Sequence, residues 1–162
     1  MPKYINKAFS PRRMRLLEPR IRQLAHQLID GFADYGRVDL ISQFAYPLPA
    51  FIIFALCGFP DKDADLLKSW SSDRLLFLWG NPSAAQQAEC AHNLVNSWRY
   101  CENHVRQRLE EPQDDFTSDL IRARAGDDSA LSIPEITSIV LDWALLDMNL
   151  QRHLLGIFCD SY

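Results

Sequence analysis

LSIPEITSIVLDWALLDMNLQRHLLGIFCDSY, Leu131 to Tyr162, is the stretch whose reading decides the fold. Its first half is a buried helix by every local rule. Ser132 suits the N-cap, Pro134 suits the first turn, and Glu135, three residues after Ser132, completes a capping box. Ile136, Ile139, Val140, Trp143, Ala144 and Leu146 then recur at helical spacing, so one face requires a core. After Leu146 the stripe stops. Asp147, Asn149, Gln151, Arg152 and His153 stand where apolar residues should continue. A central helix loses its pattern halfway.

The rest of the chain must supply that core. With 162 residues, 48% of them hydrophobic and 23% charged, the chain reads as one globular domain spanning residues 1–162. The net charge of −4 makes no case for nucleic acid. The charge is unevenly spread: Lys3, Lys7, Arg12, Arg13, Arg15, Arg20 and Arg22 face only Glu18 in the opening segment, which reads as a solvated basic face. Cys57, Cys90, Cys101 and Cys159 form no CxxC pair and no metal-ligand spacing, so buried free thiols in a reducing compartment are expected. No apolar run is long enough to cross a bilayer and no signal peptide opens the chain, so a soluble cytoplasmic protein with no membrane partner is expected.

In chain order the expectation is all-α, six or seven helices with almost no sheet. Pro11 starts a basic helix that Pro19 interrupts or restarts, and Gly36 stops it. Arg37 to Leu40 reads as a short strand or a turn. Pro47 and Pro49 are too close together for helix, so an irregular entry leads to a buried helix from Ala50 to Leu56, ended by Gly58. Pro60-Asp61 opens a helix reaching the apolar run Leu75 to Trp79, which reads as core. Gly80-Asn81-Pro82 is a turn. A long helix runs to Pro112, and a short one spans Phe116 to Ala125 before a turn at Gly126 to Asp128. His26, His92 and His104 fall toward polar faces and read as solvated rather than as metal ligands; His153 lies in the final segment. Asp142, on the apolar last helix, reads as an acid bonded to a neighbouring group or facing a pocket.

Several phrases are more specific. NKAFSPRR (Asn6 to Arg13), LEPRI (Leu17 to Ile21), GRVDL (Gly36 to Leu40), FAYPLP (Phe44 to Pro49), GFP (Gly58 to Pro60), DDFTSDLI (Asp114 to Ile121) and LSIPEI (Leu131 to Ile136) occur in this order. Together they resemble bacterial cytochrome P-450 monooxygenases over residues 4 to 146. The resemblance implies a partial cytochrome P-450 fold, running from the end of helix C through D to H and into the first half of helix I. It also implies a heme cofactor, a small organic substrate and a ferredoxin-type redox partner. Helices F and G, here Asp61 to Leu109, would roof the substrate pocket. That makes Leu75, Leu78, Trp79 and Trp143 the pocket candidates.

By the same resemblance the chemical positions are missing. The His-x-x-x-Arg that holds the heme propionates would precede Met1. The Glu-x-x-Arg pair and the cysteine loop would follow Tyr162, and Cys159 has none of that loop's residues around it. No catalytic residue and no metal ligand is therefore assigned, and the chain alone is expected to be inactive. The helix I pattern Ala-Gly-x-Glu/Asp-Thr-Thr is absent after Leu146. Read one base early, however, Leu146 to His153 can be encoded by GGA CAT GAA TCT ACA ACG ACA. That spells Gly-His-Glu-Ser-Thr-Thr-Thr, so residues 147–162 are expected to be an out-of-frame tail. With half of helix I replaced, the apolar faces of Phe51 to Leu56 and of the last helix are expected to stay exposed. The alternative reading is a non-enzymatic helical remnant for small-molecule binding or protein interaction. A helical transcription regulator is weaker, for want of a helix-turn-helix.

Overall fold

The computed structural model describes residues 11–124 and 131–145. The turn at Gly126 to Asp128 and the 147–162 tail with His153 and Cys159 lie outside them. Among the described residues the fold is all-α, as expected, with no strand: α1 is Pro11–Asp30, α2 is Pro47–Cys57, α3 is Ala64–Trp79, α4 is Ala84–Glu110, α5 is Phe116–Arg124, and α6 is residues 133–145. Residues 37–40 form no strand, and Ile41–Ala45 wind as a π-helical turn closed by the Tyr46 N–H on the Ile41 carbonyl at 2.9 Å.

Prolines break fewer helices than their positions suggest. Pro19 sits inside α1, which continues to Asp30. Proline there deletes one backbone bond. Met14 and Leu17 before it nevertheless pack against the core and Leu24 after it is buried, so tertiary burial holds both halves in line. The helix ends at Asp30; Gly36, with φ 63°, closes the short 3-10 turn that follows. Pro47 and Pro49 fall in the first turn of α2, where backbone N–H groups have no intrahelical partner to lose.

The core lies where α2, α3, α4, α5 and α6 meet, built from Phe54, Leu56, Leu67, Trp70, Val105, Phe116 and Leu120 with the α6 stripe. Ile136, Val140 and Ala144 are fully buried, and so are Leu56 and Cys57 of α2. The expected exposure of these two faces is thus corrected. The neighbouring helices already cover them, while Phe51 and Ile53 stay half-buried. The capping box that opens α6 forms as read: the Ser132 hydroxyl accepts the Glu135 N–H at 3.4 Å and the Ser132 N–H reaches Glu135 Oε2 at 2.6 Å. A second capping box, Ser83 with Gln86, starts the 27-residue α4 after the turn at Gly80. Helices α3 and α4 run antiparallel, tied by Tyr100 Oη on Asp63 and Asn93 Nδ2 on Asp73, both 2.7 Å.

Gly58 is required twice. Its φ of 82° is left-handed, and a Cβ there would run into the Asp115 carboxylate, 2.7 Å from Cγ.

Candidate functional site

The pocket candidates gather only in part. Leu75 is half-buried, whereas Leu78 and Trp79 are 53% and 77% exposed at the C-terminal end of α3. The core reading of Leu75 to Trp79 is therefore corrected. Five consecutive apolar residues cover every face of a helix, and the core takes only one of them. Trp143, half-buried on α6, stacks on Phe116 of α5 with ring centroids 4.7 Å apart. It packs toward the core rather than with the end of α3.

Polar groups join α3 to α6. The Ser71 hydroxyl bridges the carbonyls of Leu67 on its own helix and Ala144 on α6, each at 3.1 Å. Arg74 Nη2 donates to Asp142 Oδ1 at 2.9 Å, so Asp142 is an acid bonded to its neighbour. Arg74 Nη1 is shut off from solvent and has no acceptor.

A buried polar cluster closes the end of α2. Three donors converge on its last carbonyls. His104 Nε2 lies 3.1 Å from the Cys57 oxygen, Thr117 Oγ1 donates to that oxygen at 2.8 Å, and Arg108 Nη2 donates to the Gly58 oxygen at 2.7 Å. Arg108 Nε also pairs with Asp115 at 2.5 Å, and Asp115 accepts the Ser118 N–H at 2.8 Å. These side chains satisfy carbonyls that a helix end leaves orphaned. The solvated reading of His104 is thereby corrected: it is 5% exposed and its ring packs 4.5 Å from that of Phe59. Burial lowers its pKa, outweighing the carbonyl contact that favours the charged ring. The signal was present in the sequence. Ser97, Cys101, His104, Val105 and Arg108 follow one helical stripe, so His104 and Arg108 share the face of known core residues.

The basic opening segment is likewise more than a solvated face. Arg13 pairs with Asp114 at 3.1 Å and Asp119 at 2.7 Å, and Arg20 pairs with Asp61. Beside Arg20 lies a cleft of about 220 Å³ lined by Leu24, Phe51, Phe54, Phe59 and Asp65. Its floor residues Phe54 and Phe59 are already buried by the core, leaving a ligand little apolar surface to cover.

Among the described residues, no three His, Cys, Asp or Glu side chains converge as a metal site. They do not fit as iron ligands for a heme either. Cys57, Cys90 and Cys101 are buried between helices, as expected for packing thiols. Burial pushes the Cys101 thiol up to about 12, the opposite of what a ligating thiolate needs. His104 is committed to the Cys57 carbonyl. No described helix is long and apolar enough to cross a membrane.

No family model matches the chain. Individual proteins do. It is 35% identical over 156 residues to 6-deoxyerythronolide B hydroxylase of Saccharopolyspora erythraea, covering 96% of this chain and 37% of that protein. It is 35% identical over 136 residues to mycinamicin IV hydroxylase/epoxidase of Micromonospora griseorubida, covering 83% of this chain and 33% of the relative. Its fold is similar to the solved structure of cytochrome P450 CREJ in complex with (4-ethylphenyl) dihydrogen phosphate. The TM-score is 0.78 at 32% identity, over 89% of this chain and 36% of that one. The chain thus spans about a third of the length of the proteins it matches.

Proposed function

Because this chain is, in sequence and helical fold, a stretch of cytochrome P450, we propose that it supplies the helical roof of a monooxygenase substrate pocket. Its intact relatives would insert oxygen into a small organic substrate with electrons from a ferredoxin-type redox partner. The observation that carries the reading is the 35% identity to a hydroxylase along 96% of the chain, beside a fold similar to that of a solved cytochrome P450 at a TM-score of 0.78. Heme supplies the oxygen chemistry in this family, and no described residue is suited to hold it. The part left to this chain is to bind, orient and exclude water. Leu75, Leu78 and Trp79 would form apolar wall at the end of α3, and Trp143, held on Phe116, would border the pocket separately from α6. The chain alone would then have no oxygenase activity.

The reading is tested by grafting residues 11–145 in place of the matching stretch of 6-deoxyerythronolide B hydroxylase. The chimaera is expected to take up heme and give a thiolate-type carbon monoxide difference spectrum. A folded chimaera that excludes heme would overturn the reading. The 162-residue chain titrated with heme should give no such spectrum; if it does, the inactive assignment is wrong.

A further inference from the structure

The cleft beside Arg20 lies away from the face read as a pocket roof. It is bounded by α1, by α2 and by the first turn of α3, at Ala64 and Asp65. Leu78 stands at the opposite end of α3, about 20 Å away by helical rise. The charges of the cleft are not balanced. Each terminal nitrogen of Arg20 has an acceptor: Nη1 donates to Gln23 Oε1 at 2.7 Å, and Nη2 pairs with Asp61. Nearby, Asp63 accepts the Tyr100 hydroxyl at 2.7 Å. Lys62 is exposed, Lys68 lies over the Tyr46 ring, and neither lines the cleft. Asp65 takes no hydrogen bond or ion pair among the described residues, so one carboxylate at the mouth is left without a cation.

Behind that carboxylate stand the rings of Phe51, Phe54 and Phe59. Aromatic rings and a carboxylate both favour positive charge. An anion would meet Asp61 and Asp65 and find the terminal nitrogens of Arg20 already engaged. A purely apolar ligand gains little, because only Phe51, Pro60 and Ala64 keep much surface to cover. Size narrows the class further: benzene fills a cavity of about 150 Å³, so about 220 Å³ holds one ring with a short arm.

We propose that this cleft binds a small organic cation, an arylalkylammonium whose charge pairs with Asp65 and whose apolar body rests on Phe51 and Pro60. The 162-residue chain, titrated with 2-phenylethylammonium and followed by amide NMR shifts, tests this against 2-phenylethanol and phenylacetate. Shifts are expected to centre on Leu24, Phe51 and Ala64, with the cation bound about tenfold more tightly than the alcohol and phenylacetate not bound. Asp65→Asn should weaken the cation about fivefold. Arg20→Gln releases Asp61 and should strengthen it by a similar factor, a gain that an unfolded variant cannot show. Equal binding of cation and alcohol, shifts centred elsewhere or no saturable shift would each overturn the inference. So would unchanged affinity in Asp65→Asn, or no gain in Arg20→Gln. Heme uptake by the chimaera judges the roof reading independently.

Discussion

At His104 a titratable ring is held away from water with its Nε2 on a helix-end carbonyl, and this has a consequence for pH. Burial lowers its folded-state pKa below the ordinary value of 6.5. The unfolded chain therefore binds the proton first as pH falls. The stabilising contribution is complete above the unfolded value and is lost from there down through the folded one. Asp115 favours the charged ring and Arg108 opposes it, so neither acts alone. Urea midpoints measured between pH 8 and pH 5 should fall more steeply for the wild type than for His104→Gln. Parallel curves for the two proteins would mean the ring does not titrate in that window. Glu135 behaves in the ordinary sense for an acid. The Ser132 backbone N–H, and then its hydroxyl, hold its pKa down, so the capping box is present at neutral pH and lost in acid.

Helix α1 shows how an element can override its own sequence. Proline in a helix interior costs about 3 kcal/mol relative to alanine, through one lost bond and a steric clash. It recovers about 1 kcal/mol by restricting the unfolded chain. Pro19→Ala is accordingly expected to stabilise the protein by about 2 kcal/mol in chemical denaturation without changing the helix boundaries. A destabilised variant would show that the ring makes packing contacts outweighing its backbone cost. Helices α4 and α6 follow the opposite rule. Their capping boxes, at Ser83 with Gln86 and at Ser132 with Glu135, start them where residue types alone place the start.

Across the whole molecule, ion pairs tie helices that are distant in sequence. Arg13 of α1 reaches Asp119 of α5, 106 residues away, with both side chains about nine-tenths buried. Arg13→Ala should cost about 2 kcal/mol by urea denaturation, moderated because Asp119 keeps Arg122 at 2.9 Å. A loss below about 0.5 kcal/mol would mark the tie as an ordinary surface pair. The helical class, the cap at Ser132, the turn at Gly80, the buried thiols and the α6 stripe were all legible from spacing and residue type, because they depend on neighbours within a turn or two. The resemblance carried by LEPRI, FAYPLP, DDFTSDLI and LSIPEI was legible for the same reason, and it agrees with the P450 fold found here. Where side chains meet across helices was not legible. His104 read as solvated because its partners, Cys57 and Phe59, come from another element. Leu75 to Trp79 read as core because hydrophobicity says that a residue avoids water, not that a neighbour arrives to cover it. The orphaned Nη1 of Arg74 needed the geometry of α3 against α6 to be seen at all. Local periodicity and capping determine which helices form; only their packing decides which polar atoms find partners, since burial is a property of the assembled core.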